Sequence, residues 1–164
     1  IEYFGVVNYA TNERVLGEIK RSLAEWGDVA LVVTSAGGPS GTAMSFYDTL
    51  RHVLKAQLVS IGSGDVDSSG MIVFLAGTQR FVTPHTTALL HPAGRTFGEG
   101  TRYTTAELGA MLAEDTRKDE LYADIVAHNS AGKLTAPQVL ELMRAHTVLG
   151  ADDFVRLGLA EAVL

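Results

Sequence analysis

The sequence predicts an α/β fold on a parallel sheet, and three features of its pattern carry that reading. Continuous apolar runs over 29–33, 58–61 and 88–90 suit strands buried on both faces. Between the first two, and ahead of them, lie segments over 13–26 and 42–54 whose apolar residues recur at helical spacing. The resulting alternation is the rhythm of β-α-β units, in which right-handed crossovers lay helices over the faces of a parallel sheet.

Taken in order, a short strand is expected over 3–7, closed by a turn between Asn8 and Asn12. The amphipathic helix over 13–26 carries Val15, Leu16, Ile19, Leu23 and Trp26 on its apolar face. Strand 29–33 is bounded by Gly27-Asp28 and by a loop with Gly37, Gly38 and Pro39, and helix 42–54 follows through Met44, Phe46, Leu50 and Val53. After strand 58–61 comes Gly64-Asp65-Val66-Asp67-Ser68-Ser69-Gly70, which opens a buried helix running from near Ser68 to about Gly77. A brief strand at 81–82 is stopped by Pro84, and strand 88–90 delivers His91 at its end. Residues 95–103 read as a Gly-rich loop. Thr104 or Thr105 then caps a long helix to about His128, with Leu108, Met111, Leu112, Leu121 and Ile125 on its stripe. Its middle, 114–120, is charged nearly all round, the pattern of a helix that stands in water or meets another charged surface. A helix over 134–145 with Pro137 in its first turn, a short helix over 152–157 and a strand over 162–164 complete the chain.

A length of 164 residues predicts one domain over 1–164, large enough for a real core. The apolar fraction of 46% and charged fraction of 20% are those of an ordinary globular protein. With a formal charge of −6 and no basic cluster longer than a pair, neither nucleic acid nor an anionic membrane is expected as a partner. The absence of cysteine excludes disulfides, thiolate zinc sites and a thiol nucleophile. The chain opens at Ile1 within a strand, with no charged n-region or apolar h-region, so a cytoplasmic location is the expectation.

Three loops carry the residues that matter for chemistry. In an open α/β sheet, loops distant in sequence converge where strand ends gather. One loop offers Gly37-Gly38, where the lack of a Cβ lets the Gly38 N–H approach a ligand closely; the second offers Ser68 with the Ser69 N–H behind it; the third offers His91. A hydroxyl, a base that titrates near neutrality and two backbone donors for an oxyanion are the minimum for acyl transfer. Each part has a plainer reading. Asp67 or Ser68 before an apolar run is also an ordinary helix cap, and on the stretch alone cap and nucleophile are evenly matched. Asp65, Asp67, Ser69 and Gly70 imitate the start of a calcium loop, yet its twelfth position is Ala76 where a bidentate glutamate is needed. The Gly37-Gly38 loop lacks the lysine of a phosphate-binding loop. His52, His85 and His128 read as structural, no histidine pair has a metal-ligand spacing with a carboxylate, and neither a metal nor a cofactor is expected.

In order and nearly in spacing, Thr34-Ser35-Ala36-Gly37-Gly38, the segment from Met44 to Thr49, the segment from Gly64 to Gly70, Ala76-Gly77, Arg80-Phe81, Pro84 and His91-Pro92 resemble the ClpP family, the proteolytic subunits of the ATP-dependent Clp protease. Leu149-Gly150-Ala151 and Gly158-Leu159 resemble the tail of the same family. The resemblance implies a ClpP/crotonase-like spiral of β-α-β units with a projecting handle helix, the handle region spanning about 95–135. It implies a serine endopeptidase that cleaves extended polypeptide substrates, with Ser68 as nucleophile, His91 as general base and the N–H groups of Gly38 and Ser69 as oxyanion hole. It further implies a homo-oligomer of stacked heptameric rings that encloses a chamber, with an AAA+ unfoldase or a ClpP-like paralogue as partner.

The sequence departs from that family in three places. His146 occupies the position of the triad acid; it can orient His91 but offers no carboxylate, unless Asp152 or Asp153 substitutes. Asp65 and Asp67 stand where the family has small or amide residues, and their charge near His91 would favour its imidazolium form. The segment that lines the axial pore in the family is not among these residues. The first departure raises a second expectation, a ring subunit with weak or no activity that serves a structural role. A crotonase-like acyl-CoA enzyme ranks behind both, since that superfamily shares the spiral fold but gives a serine-histidine pair no role.

Overall fold

The computed structural model describes residues 1–164 throughout. Its strands are β1 (Glu2–Phe4), β2 (Ala30–Ser35), β3 (Val59–Val66), β4 (Gln79–Val82), β5 (Thr87–Leu89), β6 (Val148–Gly150) and β7 (Ala162–Val163). The helices are α1 (Tyr9–Trp26), α2 (Ser40–Asp48) with a π-helical continuation over Thr49–Val53, α3 (Ser69–Phe74), α4 (Thr105–His128), α5 (Ala136–Arg144) and α6 (Ala151–Arg156). Strands β1-β2-β3-β4-β7 lie side by side and all parallel, as uniformly apolar strands joined by helices require. The far end of β3 leaves this arrangement: Asp65 pairs with Thr87 of β5, and β5 pairs antiparallel with β6.

That antiparallel pair departs from the all-parallel expectation, because residues 146–149 carry too short an apolar run to announce a strand. Elsewhere the differences lie at element ends. Helix α1 begins at Tyr9, four residues ahead of the expected start, because the Asn8 side chain accepts from Thr11 N at 2.8 Å and caps it. Asn12, expected in a turn, is buried in that first stretch of helix. It accepts from Tyr3 Oη at 2.6 Å and donates to Thr42 O at 2.8 Å, so both the oxygen and the nitrogen of this polar side chain find a partner inside the core. Burial pushes the Tyr3 hydroxyl up to about 12, and the ring packs edge-on against Phe46.

The core is one cluster of 33 buried apolar residues, and the central strands feed it mainly from one face. Leu31 and Val33 of β2 are buried while Val32 and Thr34 are half-buried, so the apolar runs expected to be buried on both faces alternate instead. Helix α3 runs through it, every residue from Ser69 to Phe74 being buried, which explains its apolar sequence on all sides. Helix α4 behaves differently. Thr104 and Glu107 form a reciprocal capping box at its start, but only Tyr122, Ala123 and Val126 are buried, all toward its end. The first half projects from the body with Leu108 48% and Leu112 67% exposed.

Arg80 on β4 ties distant parts of the chain without a carboxylate partner. Its guanidinium donates to Leu159 O at 2.8 Å, Asn129 O at 2.9 Å and Gly77 O at 3.0 Å, and its burial pulls its pKa down. Arg80→Ala leaves these carbonyls without a donor and is expected to cost about 2–3 kcal/mol. Urea unfolding checks this: the midpoint falls while the slope stays unchanged.

Candidate active site

The site is built where β3 ends. Past its pairing with β5 the chain turns sharply into α3, and Ser68 occupies that turn at φ 51, ψ −125. A non-glycine residue there is strained by about 1–3 kcal/mol, and such strain at a strand-to-helix turn lifts a side chain away from both elements. The surroundings hold the turn firmly. Ser68 N donates to Leu89 O at 2.8 Å, Ser68 O accepts from Met71 N at 3.1 Å and from Tyr122 Oη at 3.0 Å, and Gly70 N donates to Asp67 O at 2.7 Å.

The capping alternative fails at both residues. The Ser68 side chain makes no cap hydrogen bond, and the Asp67 carboxylate faces away from the helix to accept from Leu89 N at 2.7 Å. Asp65 lies exposed in the ladder opposite Thr87, and no three acidic or histidine side chains of the chain converge as a metal site requires.

The Gly37-Gly38 loop presses against this turn. A Cβ on Gly37 would stand 2.7 Å from Ser68 Cβ, and one on Gly38 would stand 2.3 Å from Val7 O, so neither position admits a side chain. The Gly38 N–H donates to no protein acceptor, while its carbonyl accepts from Ser69 Oγ at 2.8 Å. Ser69 N is among the first N–H groups of α3, which have no acceptor within the helix.

His91 follows β5, whose end is held between the Ser68 turn and β6. Its Nδ1 lies 2.8 Å from Pro92 O, and since a carbonyl only accepts, Nδ1 carries the proton and Nε2 keeps a free lone pair. His146 comes alongside with its ring stacked on that of His91, centroids 6.1 Å apart and planes 19° apart. With its Nδ1 proton directed at Pro92 O, His91 has none to give His146, and no hydrogen bond joins Ser68 Oγ to the imidazole. Asp153 is committed to its own helix, accepting from Gly150 N at 3.0 Å and pairing with Arg156, which together hold its pKa down.

Gly38, Ser68, Ser69, His91, Asp119 and Tyr122 share the lining of one cavity of about 400 Å³. Residues 19–164 match the family described as Clp protease. The chain belongs to the Clp protease family. Within this Clp fold α4 is the projecting helix, and its root supplies the wall of the cavity opposite the sheet.

The charged middle of α4 meets a partner within the same chain. Arg95, from the loop after His91, donates to both oxygens of Asp115 at 2.7 and 2.8 Å and to Glu114 at 2.7 Å. Lys118 bonds the other oxygen of Glu114; with Arg95 it holds that carboxyl down at about 2. Asp119 turns inward and accepts from Ala93 N at 2.7 Å, and its partial burial raises its pKa above the ordinary value. Neither Arg95, Asp119 nor Tyr122 was singled out in the sequence. The only signal was the dense charge of 114–120, which does not say which carboxylate faces in.

For Asp119 the sign of the pH effect follows from its raised folded pKa. The folded chain holds this proton more tightly than the unfolded chain, so ionisation costs stability as pH rises above the ordinary 3.8. Asp119→Asn keeps an oxygen for Ala93 N and removes the charge. It is expected to melt slightly higher at pH 7, by less than about 1 kcal/mol because solvent still screens the group. Thermal unfolding at pH 7 and again below pH 4 checks this, the difference vanishing in acid.

Proposed function

We propose that this chain is a serine endopeptidase of the Clp type, hydrolysing extended or unfolded polypeptides through an acyl-enzyme. The observation that carries the reading is Ser68, strained at the mouth of α3 with its hydroxyl unused, in one cavity with His91 and the Gly38 N–H. In this reading the Ser68 hydroxyl proton passes to His91 Nε2 as Oγ bonds the scissile carbonyl carbon. The charge that develops on the carbonyl oxygen is received by the N–H groups of Gly38 and Ser69. The C–N bond then breaks, His91 returns the proton to the leaving amine, and a water activated by His91 releases the acid and restores Ser68.

Assembly into stacked heptameric rings belongs to the same proposal, as do an AAA+ unfoldase or a ClpP-like paralogue as partners. The exposed Leu108 and Leu112 on α4 support it as apolar surface that another subunit would cover.

A second reading is a ring subunit of low activity. Its support is specific: His146 stacks on His91, no carboxylate bonds the imidazole, and Ser68 does not bond it either. Fluorophosphonate labelling and hydrolysis of short fluorogenic peptides between about pH 6 and 9, bracketing the ordinary histidine range, separate the two. The peptidase reading expects labelling that is abolished in Ser68→Ala. Failure of the natural chain to label, with labelling gained in His146→Asp, assigns the chain to the low-activity reading. A working triad acid is worth up to about four orders of magnitude in rate.

A further inference from the structure

The carbonyl that holds His91 and the N–H that holds Asp119 belong to the same peptide group. His91 Nδ1 donates to Pro92 O at 2.8 Å, and the next atom along that peptide, Ala93 N, donates to Asp119 Oδ1 at 2.7 Å. The chain of contacts runs imidazole, carbonyl, amide, carboxylate. We propose that Asp119, acting through the Pro92–Ala93 peptide, is the positioning carboxylate for His91 in place of the acid absent at position 146. The proposal rests on the serine-peptidase reading only for its catalytic consequence; the relay itself is a property of the ground state.

The physical case has three parts. A carboxylate that accepts from a peptide N–H draws electron density toward that peptide's oxygen, and hydrogen bonds in series strengthen one another at low local dielectric. A more negative Pro92 oxygen is a better acceptor for Nδ1–H, which fixes the tautomer and ring orientation that a triad acid ordinarily fixes. Asp119 also lines the cavity with His91, so its charge reaches an imidazolium formed there directly as well as through the peptide. The other candidates do not qualify: His91 directs its Nδ1 proton to Pro92 O and not to His146, Asp152 is exposed and outside the cavity lining, Asp153 is turned onto Gly150 and Arg156, and Asp67 is bonded to Leu89 N.

Several charged groups face this carboxylate and set its field. Asp115 and Lys118 flank it on α4, Arg95 stands across from it on the loop, Arg144 approaches from α5, and the rings of His91 and His146 lie beyond the peptide. Tyr122, one turn further along α4, is buried and neutral, with its pKa raised by that burial. Among them Arg95 is taken up by Glu114 and Asp115, which leaves Asp119 to the Ala93 N–H.

Two measurements on the full chain test the relay. With histidine-selective 15N labelling, the spectrum holds five imidazoles, and His91→Gln identifies the ring of interest. The relay expects the His91 Nδ1 resonance to follow the acid titration of Asp119 and to lose that step in Asp119→Asn. If the His91 ring is indifferent to Asp119, the proposal is overturned, whatever the chain's activity. The second measurement is the rate of fluorophosphonate labelling of Ser68 against pH. Asp119→Asn is expected to slow it by about tenfold, the equivalent of one pK unit of interaction, and to move its acid limb to lower pH, with Asp119→Glu recovering part of the rate. An unchanged rate and limb in Asp119→Asn counts against the relay. A ring that follows Asp119 in a chain that never labels would sink the peptidase reading and leave the relay standing.

Discussion

Ser68 N donates to Leu89 O, and Leu89 N donates back to the Asp67 carboxylate, so one residue of β5 grips the Ser68 turn from both sides. The grip sets the relation between Ser68 and His91, which sits two residues further along the same strand end. It also accounts for how a strained φ at Ser68 survives. A strain of about 1–3 kcal/mol is set against hydrogen bonds worth about 1 kcal/mol each, and the turn makes several. The glycine loop completes the constraint from the remaining side, since a methyl group on Gly37 would displace the Ser68 side chain. The turn is thus over-determined by three separate segments of chain.

Much of this was legible in the residues. The buried strands, the long capped helix and the three converging loops follow from apolar periodicity and from glycine placement, because those are local signals that tertiary packing reinforces. Residues Ser68, His91, Gly38 and Ser69 come together at one cavity as their strand-end positions implied. What the sequence withheld was side-chain direction. Asp67 reads as a helix cap and instead bonds the neighbouring strand, while His146 reads as a stand-in for an acid and instead stacks. Asp119 is one carboxylate among several in a charged run, and only the path of the 91–95 loop selects it. Strand β6 escaped notice because three residues with one buried side chain leave no periodicity to read.

In the peptidase reading, the lack of a carboxylate at position 146 changes what the rest of the site must supply. A carboxylate on Nδ1 does two things: it fixes the ring, and it offsets the charge of the imidazolium. The Pro92 carbonyl does the first at 2.8 Å with no charge at all. The second needs a negative group close enough to matter in a partly buried setting, where Coulomb interactions are far stronger than in water. An imidazole at position 146 has no negative charge with which to provide that.

Helix α4 links these local facts to the larger architecture. Surface ion pairs such as Arg95 with Glu114 and Asp115 contribute little singly, and only three residues of the helix are buried, so packing alone holds it weakly. Its root is fixed instead by directional contacts at the site: Tyr122 Oη to Ser68 O, and Asp119 to Ala93 N. Directional bonds tolerate much less displacement than apolar contacts do, because they weaken steeply with angle. The helix that projects from the body is therefore referenced to the Ser68 turn and to the loop beyond His91. Both the carbonyl of the Ser68 turn and the amide of the Pro92–Ala93 peptide are thus tied to the root of one helix.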